Sequence, residues 1–247
     1  MPVVEGFVIA EQDVEPVRAP GDTADVRTTI DASRGCEHLE QRVIRFSPGR
    51  SLHRGGDGRQ EVLFVVSGTG TLSLDGADHR LEPATAAFIA PGESYSVEAR
   101  DELTMISVTA PASEHGVGNS RRVIVRYADQ PVLPATPNRE FRYLVNQDAG
   151  CLDVTQFVGV IPPGRAPEHS HTYDEVVYIL EGNGVYHIAG EEFPLEPGTC
   201  LHLPPYVRHC LENTGSSNMR VLGVFHPSGD PASKASEDRV DNKEASK

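Results

Sequence analysis

Apolar residues in this chain come in short runs that alternate with polar positions and are cut off by glycine, proline or charged residues. Such period-two runs between turn residues predict β-strands. FVIA at 7–10, RTTIDAS at 27–33 and HLEQRVIRF at 38–46 each read as a strand. LFVVSGTGTLSLDG at 63–76 reads as strand, turn and strand, with Gly68 and Gly70 at the turn. AAFIAPG, YSVEA and TMISVTA continue the pattern up to ASEHGVGNSR, a turn-rich break. The order then starts again with RVIVRY, FRYLVNQ and LDVTQFVGVI, followed by VVYILEGNGVYHIAG, TCLHLP, HCLEN and RVLGVFH. Many short strands at regular spacing predict an all-β protein built as a sandwich or barrel.

The restart is a duplication. Gly150-Cys151 lies 115 residues after Gly35-Cys36, and Pro163-Gly164-Arg165 repeats Pro48-Gly49-Arg50 at the same offset. Glu175, Gly182, Gly190 and Leu195-Glu196-Pro197 follow Glu61, Gly68, Gly76 and Leu81-Glu82-Pro83 at an offset of 114. So long a period means two copies of a domain rather than a solenoid. The expected division is a first unit at 1–112, a linker at 113–121, a second unit at 122–228 and a polar, disordered tail at 229–247.

Composition narrows the partners. A chain of 247 residues holds two domains, and 23 Gly with 19 Pro and no Trp suit many short strands. The formal charge of −14, without a basic block, argues against nucleic acid and anionic membrane. No run approaches the roughly 20 apolar residues of a membrane span. The start MPVVEGFVIAEQD lacks the basic and apolar regions of a signal peptide. Cys36, Cys151, Cys200 and Cys210 form no CxxC pair. These features predict a cytoplasmic protein with reduced thiols.

The candidate chemistry sits at 164–213. His169 and His171 are two apart and share a face if extended; Glu175 follows, and His209 falls in a later strand-like run. Three imidazoles and one carboxylate make a shell for one divalent transition metal, Fe, Mn, Ni, Cu or Zn, with positions left open for substrate. Cys210, next to His209, should face the other way. In the first copy Glu61 remains, but Tyr95 replaces His209, and Gly55 and Asp57 align with the His pair. No tight metal is expected there.

This motif resembles the cupin family. Gly164, His171, Glu175 and Gly182 follow its first motif, and Gly190, Pro204, His209 and Asn213 its second, although Tyr206 stands where a glycine is usual. The resemblance implies an antiparallel jelly-roll barrel in each half, a bicupin, with metal held by His169, His171, Glu175 and His209 in the second barrel. Cupins with such ligands include oxygenases of catechol-like or enediol substrates, oxalate-degrading enzymes, isomerases and non-enzymes. An oxygenase-type enzyme acting on a small organic substrate is the leading expectation, with Glu175 moving from ligand to base. A non-redox hydrolase, isomerase or decarboxylase and a non-catalytic small-ligand binder are the alternatives. Ureidoglycine aminohydrolases are bicupins too, but their motif places the carboxylate before the imidazoles. Alternation puts Val177 and Ile179 beside Glu175, and Leu211 and Asn213 beside His209, an apolar wall for substrate. Tyr206 and Arg208 are further candidates for substrate contact. Cupin sheet edges also make a homodimer plausible.

Overall fold

The computed structural model describes residues 6–136 and 138–232. Among these the strands form four sheets, of seven, six, five and four strands, and every pairing between named strands is antiparallel. Each half contributes one large and one small sheet, so each repeat closes a two-sheet barrel. Tight glycine turns serve the closure: Gly68 and Gly182 both hold positive φ where the chain passes from the large sheet of each half into its small sheet.

Three apolar cores result. One lies inside the first barrel around Phe46, Leu72, Tyr95 and Met105. A second lies inside the second barrel around Ile179, Tyr186, Leu195 and Leu201. The third mixes both halves, packing Ile30, Val43 and Phe88 against Leu144, Val176 and Val224 between the two large sheets. Alternation along one strand feeds two of these cores. In Asp174–Glu181, Val177 and Ile179 point into the second barrel while Val176 and Tyr178 face the first.

Repeat boundaries and spatial boundaries differ. The FVIA strand, Phe7–Ala10, pairs with Thr199–Leu203 of the second barrel. Ile124–Arg126 pairs in return with Thr85–Ile89 of the first. Each half therefore lends an edge strand to the other. The connecting stretch also docks, since Val117 bridges to Cys151 and Asp153 accepts from both the backbone and the hydroxyl of Ser113. The tail expected from 229 starts with ordered residues: the Gly229 amide donates to Thr155 Oγ1, whose hydroxyl donates back to the Gly229 carbonyl. The rest of that tail, 233–247, lies outside the described residues.

Candidate metal centre

His209 opens the strand His209–Asn213, and the segment carrying His169 is laid beside it by two reciprocal backbone bonds of 3.0 and 2.9 Å. That pairing sets the rings of His169 and His209 4.8 Å apart, and His171 also lies 4.8 Å from His209. Glu175 enters from the interior face of its strand, its Oε2 3.2 Å from His171 Nε2. The four residues singled out by spacing therefore gather at one end of the second barrel.

Backbone carbonyls fix the imidazoles. Nδ1 of His171 lies 2.8 Å from the Tyr173 carbonyl, Nδ1 of His209 2.8 Å from that of Val207, and Nδ1 of His169 3.3 Å from that of Pro167. A carbonyl only accepts, so each Nδ1 carries a proton, and Nε2 is the ring atom left to bind a cation when the imidazole is neutral. Burial first, and then the neighbouring His171 and His169, push His209 down to about 3, so it is a neutral donor at ordinary pH. His171 Nε2 is buried without a hydrogen-bond partner and faces a carboxylate oxygen. An imidazole nitrogen and a carboxylate oxygen 3.2 Å apart share either a proton or a metal ion, and a divalent metal can take the place of the proton between them. This donor set thus fits a divalent metal, with the carbonyls orienting the ligands from behind.

The surroundings hold the shell in place. Tyr173 is stacked between His171, at 4.2 Å, and Phe225, at 4.0 Å. Gly223 leaves room for Glu175 and Phe157: a Cβ there would lie 2.9 Å from Glu175 Oε1 and 2.4 Å from the Phe157 ring. The cavity over the site is about 120 Å³ and apolar, with Phe141, Phe157, Val177, Leu203 and Leu211 beside His169, Glu175 and His209. It adjoins an outer cavity of about 370 Å³, with which it shares Arg139 and His169. Arg139 is partly buried at that junction and donates to the Leu211 carbonyl at 3.1 Å. Among the described residues no carboxylate pairs with it.

Of the expected substrate residues, Val177 and Leu211 line the inner cavity. Ile179 lies deeper, in the barrel core. Asn213 is spent on structure, donating to the Ile161 and Ser217 carbonyls. Tyr206 is 71% exposed, and Arg208 is exposed beside Glu168. Arg139, Phe157, Tyr173 and Gly223 escaped the sequence reading. The ladder register makes Ser107 the counterpart of Gly223: Ser107 pairs with Leu63 as Gly223 pairs with Val177, and where the serine hydroxyl meets Glu61 the glycine leaves space beside Glu175.

In the first barrel Glu61 takes hydrogen bonds from the Tyr95 hydroxyl at 3.0 Å and from Ser107. Burial raises its pKa against those two bonds, which favours a neutral acid. A further donor group also escaped notice. Cys36 of the first half lies with Asp174 and His202 of the second, their ligand atoms within 4.8 Å of one another. None of the three lines the cavity above Glu175.

Comparison with known proteins agrees with this architecture. Residues 157–225 match the family model described as a cupin domain. The chain is 35% identical over 67 residues to an oxalate-binding protein of Thermotoga maritima, covering 26% of this chain and 55% of that one. It is 23% identical over 168 residues to (S)-ureidoglycine aminohydrolase of Arabidopsis thaliana, covering 66% of this chain and 56% of that one. The chain spans about half the length of the curated relatives it matches. The solved structure of protein Ylba of E. coli superposes with a TM-score of 0.77 at 14% identity, over 93% of this chain and 94% of that one. The matched segment contains Glu175 and His209 and identifies a cupin domain in the second half, while the superposition runs through both halves and shows the fold of two such barrels in tandem.

Proposed function

We propose that this bicupin is a mononuclear metal-dependent enzyme of the oxygenase type whose substrate is a small organic acid with an apolar body. The observation that carries the reading is the buried, unpartnered His171 Nε2 facing Glu175 Oε2, within three imidazoles whose Nδ1 atoms all meet carbonyls. His169, His171, Glu175 and His209 would hold the ion, which is Fe, Mn, Ni, Cu or Zn. When bound, the metal supplies Lewis acidity and, if redox-active, electron exchange with dioxygen. Phe157, Val177 and Leu203 keep water from the reacting end, and Leu211 completes that wall. Arg139 meets the substrate carboxylate at the mouth, where a guanidinium pairs with both oxygens. Glu175 takes the proton of the substrate hydroxyl as that group approaches.

Oxygen uptake by Fe-, Mn-, Ni- and Cu-loaded protein with a panel of catechol and enediol carboxylic acids tests this. Uptake with at least one acid, lost in His209→Ala, is expected. Equal turnover under strict anaerobiosis would sink the oxygenase reading. A hydrolytic reading has one observation in its favour, the likeness to (S)-ureidoglycine aminohydrolase over 168 residues, which reaches beyond a single barrel. Ammonia release from ureido acids without oxygen uptake would select it.

A further inference from the structure

The strand that delivers Glu175 to the cavity also presents Asp174 to the opposite face, against the first barrel. Strand pairing sets Val176 directly across from His202, so Asp174 and His202 are diagonal neighbours on that face. Their side chains meet, His202 Nε2 lying 2.6 Å from Asp174 Oδ1. Cys36 arrives from the turn that follows Ala32–Arg34 in the first half. All three are sealed off, at 1% exposure for Cys36, 6% for Asp174 and 1% for His202. His202 Nδ1 is buried without a partner. So is Nδ1 of His226, which stands opposite Asp174 in the ladder and therefore on the same face.

The duplication supplies a control. The equivalents of Cys36, Asp174 and His202 in the other half are Cys151, Gln60 and Phe88. There Cys151 Sγ donates to Gln60 Oε1 at 3.2 Å, and Phe88 is plain core. The cysteine alone therefore belongs to the packing of both halves, and only one half surrounds it with ionisable partners. A buried charge pair is generally no better for stability than the neutral residues used on the other side. The Asp and His thus point to something beyond packing.

We propose that Cys36, Asp174 and His202 form a second, structural metal site that ties the two barrels together, with zinc as the ion it suits best. Thiolate, imidazole and carboxylate are zinc ligands, and the fourth tetrahedral position goes to His226 or to a water. The two anionic ligands cancel the charge of the ion, which is what a dry interface requires. Cys36 releases its thiol proton to solvent as the metal enters, and loading accompanies folding because the site is closed afterwards. The site is independent of the centre at Glu175: it shares no ligand with it and contains the sulfur the other lacks.

Cobalt distinguishes the two. The full chain refolded with Co²⁺ should hold about two equivalents of metal and show a thiolate-to-cobalt charge-transfer band in the near ultraviolet. Cys36→Ser and His202→Phe should each lose the band and about one equivalent. His209→Ala should lose the other equivalent and keep the band, and Cys151→Ser should change neither. Should Cys36→Ser fail to fold, His202→Phe still decides, because phenylalanine is the residue the other half carries there. No thiolate band in the wild type, or a band that survives both Cys36→Ser and His202→Phe, overturns the proposal. About one equivalent with a band lost in Cys36→Ser supports this site and counts against the four-residue centre instead.

Discussion

Tyr206 holds φ at 64°, in the left-handed region that side chains with a Cβ avoid. Its counterpart Gly92 takes 81° at no steric cost. The second barrel thus keeps the turn that a glycine would make and carries strain of about 1–3 kcal/mol for it, so Tyr206→Gly should gain about 1 kcal/mol after the entropy cost of glycine. A thermal melt should rise by roughly 2–4 °C, and no rise would mean the backbone is relaxed there. Should Tyr206 also touch substrate, the same variant would raise KM. Gly223 works in the reverse sense. Gly223→Ala forces Phe157 and Glu175 apart and should cost about 1–3 kcal/mol, with metal affinity falling about 10–100-fold. Metal titration alongside a melt separates the two effects. At Glu61 the argument concerns protons. Its folded pKa is raised by burial, so the folded state keeps the proton to higher pH than the unfolded chain does. The stability this contributes is complete below the ordinary carboxylate range and is lost as pH rises through the raised folded value. Glu61→Gln should therefore show a flatter stability–pH profile than the wild type above about pH 5, measured by denaturant melts. A parallel profile would mean Glu61 ionises normally.

At the scale of the element, the strands were legible because alternation and turn residues are local, and almost every predicted run is a strand. Partnership was not legible. FVIA reads as a strand from its own residues, yet nothing local says that it adds to the second barrel beside Cys200 and Leu201 rather than to the barrel that follows it in sequence. That choice belongs to the packing between the large sheets. The proposed ligands could be singled out for a similar reason, since His169, His171 and Glu175 are close in sequence and His209 sits in a second recognisable motif, and the structure brings the four side by side. Arg139 comes from a strand of the first part of the second repeat and reaches the cavity only through folding. Cys36, Asp174 and His202 meet only across the barrel interface. The lent strand yields a prediction. Deleting residues through Ala10 strips the ladder partner from Thr199–Leu203 and exposes its edge. The truncated chain should melt lower and self-associate at high concentration, as light scattering would report. Unchanged melting and a monodisperse solution would mean the exchange of strands adds nothing to stability.

For the whole molecule, the duplication separates what the fold requires from what the chemistry requires. Both halves build the same two-sheet barrel, but one fills the ligand end with Glu61, Tyr95 and Ser107 hydrogen-bonded together. The barrel therefore closes without imidazoles, and metal bound at Glu175 should add to stability by mass action rather than be needed for folding. At free metal about 1,000 times Kd that addition is about 4 kcal/mol. For a chain of this size it should raise the melting temperature by roughly 8–16 °C. His169 is the best ligand with which to test this, because it is less buried than His171 or His209 and its removal leaves the Tyr173 stack intact. His169→Ala should melt within a few degrees of the metal-free wild type and lose most of the metal-induced rise. Collapse of His169→Ala without metal would instead make the histidine cluster part of the framework, and the second barrel would then depend on its site in a way the first does not.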